Sequence, residues 1–170
     1  MRNLYAIKSQ DILLLLKMLV DSDETQQELA QNLGISQTEV SLGFRRLKNS
    51  GLLNSEGEAN KEASIEFLVH GLKYVFPAEF GTLAAGIPTS YAKPGFKFVK
   101  YKNDDLYVWA HPKGSVRGIV IKPIHPSFPE ACLKDEKLYT LASLVEMIRS
   151  GRAREKNIAA SELGKIIEGA

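Results

Sequence analysis

The chain has very few of the residues that form covalent cross-links or bind metal ions. Its 170 residues include one cysteine and three histidines. A single cysteine excludes an internal disulfide and agrees with a reducing compartment. The histidines His70, His111 and His125 stand far apart without ligand spacing, so we interpret them as ordinary surface or loop residues. We therefore expect no metal ion and no other cofactor.

Long apolar runs and catalytic signatures are also missing. The longest apolar run, residues 12–16, is far shorter than the roughly 20 residues that span a membrane. No secretory signal pattern is present, so we expect a cytoplasmic protein without a membrane partner. Glycine-rich phosphate loops, serine elbows and paired catalytic carboxylates are absent, which favours a protein that is not an enzyme. Cys132, between Ala131 and Leu133, is interpreted as a packed thiol rather than a nucleophile.

Neither sign of charge dominates, but the charges are unevenly distributed. There are 22 Lys and Arg residues against 20 Asp and Glu residues. The segment up to Glu58 is slightly acidic, whereas residues 91–122 are rich in lysine and aromatic side chains. Three of these lysines are candidate accessory contacts to a DNA backbone: Lys97, Lys100 and Lys102. The alternative for this segment is a small sheet whose aromatics face a core while its lysines face water.

Two helices are predicted before Gly34. The first covers residues 9–20, with Lys17 on its solvent side. Its apolar stripe consists of Ile12, Leu13, Leu15, Leu16 and Leu19. The second helix begins at Thr25, because Thr25 and Glu28 have the spacing of a capping box. Gly34 ends that helix, since glycine permits a left-handed turn.

A third helix opens almost immediately afterwards. Ser36 and Glu39 have the spacing of a second capping box, and only one residue separates Ser36 from the turn glycine. The buried row of this helix is predicted to be Val40, Phe44 and Leu47. We assign Glu39 to capping rather than to contact with a partner.

The two helices and their turn resemble the helix-turn-helix motif of bacterial DNA-binding regulators. Ala30, Gly34 and Val40 stand at the spacing of that motif: the small residue allows close crossing, the glycine makes the turn, and the branched residue packs beneath the second helix. With the first helix and the closing sequence SGLL, the amino-terminal third is similar to the winged helix-turn-helix regulators of the multiple antibiotic resistance (MarR) type. The resemblance implies a DNA-binding domain over residues 1–58.

The expected fold is mainly α, of the α+β type: an amino-terminal winged helix-turn-helix with a short wing, then a small β-sheet and carboxyl-terminal helices. Leu52, Leu53 and the turn at 54–57 supply half of a wing hairpin. Residues 60–75 fit a returning strand or a helix capped by Asn60, and we favour the helix because its pattern continues to Pro77.

The remaining residues, 59–170, are expected to form an α+β region for dimerisation or for binding a partner or effector. Residues 78–95 are rich in Gly, Pro, Ser and Ala and are predicted to be a long surface connection. Strands are predicted over residues 97–101, 106–110 and 116–122. An amphipathic helix is predicted over 138–148, followed by a last helix.

The outward face of the third helix carries residue types that recognise base edges. Arg can make bidentate hydrogen bonds to guanine, Gln can do the same with adenine, and hydroxyl groups can bond to either base. The predicted base contacts are Gln37, Thr38, Ser41, Leu42 and Arg45. The predicted phosphate contacts are Thr25, Gln26, Ser36, Arg46 and Lys48. The alternative is a solvated polar face on a structural three-helix domain.

The sequence thus predicts sequence-specific binding of double-stranded DNA by a prokaryotic transcriptional regulator, with the helix that starts at Ser36 as recognition helix. One such helix reads only a few base pairs, so we expect a homodimer, with the helix at 138–148 and the one after it as candidate dimer surface. The alternative is an antitoxin-like or adaptor protein whose carboxyl-terminal region binds a partner protein. A ligand sensor with a pocket around residues 76–91 is a third possibility.

Overall fold

The fold is mixed α/β, with helices first, then a small sheet, then carboxyl-terminal helices. The computed structural model describes residues 5–21, 23–98, 100 and 106–169. The elements are α1 (Ser9–Val20), α2 (Gln26–Leu33), α3 (Gln37–Asn49), α4 (Lys61–Glu66), α5 (Leu72–Val75), β1 (Phe80–Thr89), β2 (Tyr107–Ala110), β3 (Val116–Ile121), α6 (Phe128–Lys134), α7 (Glu136–Ser150) and α8 (Ala153–Gly169). Among the described helices, none has the length and apolar character needed to cross a membrane.

Helix α1 lies at the centre of the amino-terminal half and also contacts the carboxyl-terminal half. Residues 12–16 are all buried, because α3 packs on one side of α1 and α7 on another. Lys17 is buried as well, and its Nζ lies 2.7 Å from Asp135 Oδ2 and 3.0 Å from Glu24 Oε1. The prediction that Lys17 faces solvent is therefore wrong. The carboxyl-terminal half covers it and supplies a partner for its charge.

The segment after α3 confirms the predicted helix and reduces the predicted wing to a short loop. Leu53 and Ala59 form an isolated antiparallel bridge instead of a two-stranded hairpin. Asn60 caps α4 by accepting a hydrogen bond from the Ala63 N–H at 3.1 Å. A π-helical turn over Phe67–Gly71 then joins α4 to α5.

Strand β1 contradicts the predicted surface connection at 78–95. Its small residues are needed because neighbouring backbones approach closely: a Cβ on Gly86 would lie 2.2 Å from the Trp109 carbonyl oxygen. The strands predicted at 106–110 and 116–122 correspond to β2 and β3. Residues 97, 98 and 100 are in no strand, contrary to prediction, and residues 99 and 101 lie outside the described residues.

The three strands close on one another, with β1 pairing to both neighbours. Residues 86–89 pair antiparallel with β2, and the earlier part of β1 pairs antiparallel with β3. Strands β2 and β3 pair in parallel through Tyr107↔Ile119 and Val108↔Val120. The long strand β1 therefore has two halves that face different partners.

Helix α7 is the core of the carboxyl-terminal half. Its residues from Leu138 to Arg149 are buried except Thr140, which is half-buried, and they pack against α1, α6, α8 and the 3₁₀ turn at Ser90–Ala92. Within this core, the Trp109 Nε1–H donates to Glu146 Oε2 at 2.9 Å. The prediction that α7 offers a dimer surface is wrong, because its apolar side chains are used inside the chain. One apolar cluster includes residues of both halves.

Candidate nucleic-acid interface

The turn between α2 and α3 has the geometry that its residues predict. Thr25 caps α2: its Oγ1 accepts from the Glu28 N–H at 3.2 Å, and its own N–H donates to Glu28 Oε2 at 2.7 Å. Gly34 adopts the left-handed conformation, with φ of 67°. The Ser36 hydroxyl then accepts from the Glu39 N–H at 3.1 Å and starts α3. Helix α3 packs against α1 and α2 and leaves its opposite side to solvent.

The side chains predicted to contact bases stand together on that opposite side. We call this set the outer face of α3: Gln37, Thr38, Ser41, Leu42 and Arg45. Four of them are exposed and Leu42 is half-buried, whereas Val40 and Leu47 behind them are fully buried. The later half of the chain, as far as the structure describes it, leaves this face uncovered.

Arg46 does not belong to the interface. Its guanidinium makes a bidentate pair with Asp11 of α1, with Nε 2.6 Å from Oδ2 and Nη2 2.8 Å from Oδ1. The side chain is 1% exposed and that of Asp11 is 0% exposed. The prediction that Arg46 contacts phosphate is therefore wrong, because its charge is neutralised inside the protein. Hydrogen bonding to Asp11 raises the pKa of Arg46 and keeps it charged.

Glu39 also differs from its predicted role. Ser36 caps α3, but the Glu39 carboxylate does not complete the box. Instead it accepts a hydrogen bond from Gln10 Nε2 at 2.8 Å and lies 3.5 Å from Arg46 Nη2. The bond from Gln10 is the main reason that the pKa of Glu39 is lowered. Glu39 thus joins α3 to the start of α1, while a third of its side chain remains exposed (33%).

The loop that replaces the wing is acidic at its tip. Asn54 closes it through backbone and side-chain bonds to Glu58, including Glu58 N–H to Asn54 Oδ1 at 2.9 Å. Glu56 at the tip has a lowered pKa, mainly because Ser55 donates a hydrogen bond to it and to a smaller extent because of Lys48. Two exposed carboxylates, Glu56 and Glu58, therefore stand on this loop.

The predicted phosphate contacts are exposed except for Arg46, but they are not equally available. Both donors of Thr25, its N–H and its hydroxyl, bond to Glu28, so an anion there would compete with a carboxylate. The exposed remainder is Gln26, Ser36 and Lys48. Among the accessory lysines, Lys97 and Lys100 are exposed, and Lys102 lies outside the described residues.

Cys132 is buried in α6, which confirms its interpretation as a packed thiol. Burial raises the pKa of its side chain far above the usual range of a thiol, so the nucleophilic thiolate is disfavoured. In the part of the chain that the structure describes, no three His, Cys, Asp or Glu side chains are grouped to hold a metal ion.

No family model, curated protein or solved structure matches this chain.

Proposed function

We propose that the chain binds double-stranded DNA in a sequence-specific manner, as a transcriptional regulator of winged helix-turn-helix type with a reduced wing. The observation that carries this proposal is the outer face of α3. It presents Gln37, Thr38, Ser41 and Arg45 to solvent on a helix whose other side is fixed by buried contacts. These side chains match the donor and acceptor patterns of base edges in a major groove.

In the proposed complex, α3 lies in the major groove with its amino-terminal end inserted first. Gln37 and Thr38 belong to the first turn of α3, where free backbone N–H groups and the helix dipole favour phosphate oxygens. Arg45 is two turns further along the same side and would fork onto a guanine. Leu42, half-buried between them, offers an apolar contact to a thymine methyl group.

The charges around α3 predict how the affinity for DNA should depend on salt concentration. With Arg46 neutralised by Asp11, the exposed cations on α3 are Arg45 and Lys48. If Lys48 engages one phosphate while Arg45 contacts a base edge, the logarithm of affinity should fall against the logarithm of salt concentration with a slope of about −1 per chain. The acidic loop at Glu56 and Glu58 adds repulsion, so binding depends more on base contacts than on backbone attraction.

The test is selection of bound sites from random duplex DNA, repeated with Gln37→Ala and Arg45→Ala. Loss of a bidentate contact should weaken binding to the selected site by about 1 to 3 kcal/mol and relax one base position. Arg154→Ala is the matched control, because Arg154 is an exposed arginine on α8. Enrichment of no sequence by the native chain, or equal effects of the Arg45 and Arg154 variants, would contradict the proposal.

A further inference from the structure

A concave pocket lies where the end of α3 meets the segment that follows the reduced wing. Its volume is about 440 Å³. The walls come from three parts of the chain: Ile7 ahead of α1, Ser50 and Leu52 at the end of α3, and five residues between positions 63 and 71. Pockets that take small molecules have volumes of about 300 to 1,000 Å³. The volume therefore suits a small organic molecule.

Most of the pocket surface is apolar. Ile7, Leu52, Ala63 and Phe67 supply aliphatic carbons and one aromatic ring. Leu52 is buried, whereas the other three side chains are half-buried and still in contact with water. Removing that apolar surface from water stabilises any complex in which an apolar group fills the pocket. The pocket therefore favours an occupant with an apolar body.

One wall of the pocket is the π-helical turn at Phe67–Gly71. This widened turn is closed by a hydrogen bond from the Leu72 N–H to the Phe67 carbonyl oxygen. Phe67, His70 and Gly71 all line the pocket. A Cβ on Gly71 would lie 2.9 Å from Phe67 Cδ2, so the glycine leaves room for the ring. Single π-helical turns are rare and occur frequently at functional sites, and this one shapes the pocket wall.

The charge of the pocket is negative. Among the described residues that line it, Glu66 is the one Asp, Glu, Lys or Arg. Glu66 is exposed, and its carboxylate makes no ion pair or hydrogen bond with another described residue. The next residue, Phe67, carries an aromatic ring, and the faces of such rings also attract cations. An unpaired carboxylate beside an apolar surface complements a cation that carries apolar groups.

The other polar groups of the pocket can accept hydrogen bonds from an ammonium group. The Ser50 hydroxyl donates its hydrogen to the Leu47 carbonyl oxygen at 2.9 Å, which leaves the hydroxyl oxygen as an acceptor. The ring of His70 supplies an acceptor nitrogen when it is neutral. A carboxylate or phosphate ligand would find no described lysine or arginine in the lining and would be repelled by Glu66. The lining thus selects a cation over an anion.

We propose that this pocket binds a small amphipathic cation, namely an ammonium group on an apolar body. The apolar body lies against Leu52, Ala63 and Phe67, and the ammonium group faces Glu66. None of the lining residues belongs to the outer face of α3. The site is therefore separate from the proposed DNA interface and does not rest on the proposed function.

The experiment compares three probes that share one apolar body and differ in charge: 4-phenylbutylamine, 4-phenylbutanol and 4-phenylbutyrate. Each is titrated into the isotope-labelled full chain at neutral pH, and binding is followed by the NMR shifts of the backbone amides. The amine should bind about two- to fivefold more tightly than the alcohol, as expected for an exposed ion pair. The acid should bind more weakly than the alcohol. The shifts should be largest at residues 50–52 and 63–71.

Three variants separate the charge of the pocket from its shape. Glu66→Gln should remove the preference for the amine over the alcohol. Glu62→Gln is the matched control, because Glu62 is exposed on the same helix α4 but does not line the pocket; it should keep the preference. Ala63→Phe adds a ring that fills the pocket, so it should weaken the binding of all three probes. Circular dichroism establishes that each variant is folded.

The possible results divide clearly. Equal binding of the three probes, a preference that Glu66→Gln retains, or amide shifts centred on another surface would each overturn the proposal. The assay contains no DNA, so its result is independent of the selection experiment. If the chain enriches no DNA sequence but binds the amine through Glu66, the pocket stands and the proposed function is wrong.

Discussion

Replacing Arg46 with methionine tests the buried ion pair that joins α3 to α1. Methionine keeps most of the side-chain volume and removes the charge, so Asp11 loses both guanidinium bonds while it remains fully buried. Among the described residues, the one remaining hydrogen bond to its carboxylate comes from the Lys8 N–H, at 2.8 Å. An uncompensated buried charge of this kind costs about 3 to 5 kcal/mol. For a chain of this size the melting temperature should fall by about 6 to 20 °C.

Two further variants separate charge from packing. Asp11→Leu combined with Arg46→Met removes both charges, and it should recover most of the lost stability apart from about 1 kcal/mol for the cap that Asp11 gives α1. Arg45→Ala, one residue away but exposed, should change the free energy of unfolding by less than about 0.5 kcal/mol. The assay is thermal and urea denaturation followed by circular dichroism. A single Arg46 variant as stable as the native chain, or a double variant less stable than the single one, would refute the reasoning.

Two more predictions concern titration and thiol chemistry. Burial acts to raise the pKa of Asp135, but hydrogen bonds from Lys17 and the Leu138 N–H outweigh it and the net pKa is lowered. The stability that this carboxylate provides is therefore present above its ordinary pKa of about 4 and lost as the pH falls through the lowered value. Asp135→Asn keeps the cap of α7 but removes the charge. Melting curves between about pH 5 and pH 2 should therefore show a smaller loss of stability for this variant than for the native chain. An unchanged pH profile would contradict the role of the charge. Cys132 should react with a thiol reagent only as fast as the chain opens, and immediate stoichiometric labelling under native conditions would show that its burial is wrong.

The helices of the amino-terminal half were predictable because their ends carry local signals. The capping box of Thr25 and Glu28 and the left-handed Gly34 act within a few residues, so the sequence alone specifies them. The Arg46 pairing depends on α1, which is distant in sequence, and periodicity could not reveal it. One signal was nevertheless present: Gly43 lies in the middle of α3, and a Cβ there would approach Asp11 Oδ1 to 2.9 Å. A glycine inside a helix indicated that another group comes close on the side where Arg46 also lies.

Strand β1 was missed for a different reason. Residues 80–89 contain glycine, alanine and proline and have no alternation of apolar and polar side chains. Alternation arises only where one face covers a core, and much of β1 covers none. In α7, by contrast, apolar residues occur on every side of the helix, which is typical of a helix that is buried all round. That pattern was available in the sequence and argued against a role as dimer surface.

The contacts of α1 have a mechanical consequence. Near its start, Asp11 holds α3 through Arg46, and near its end Lys17 holds α7 through Asp135. Helix α7 in turn holds β1, because the Tyr139 hydroxyl donates to the Pro88 carbonyl oxygen. This series of polar contacts fixes the position of α3 relative to β1, so a force applied to one of these elements reaches the other through folded elements of the same chain.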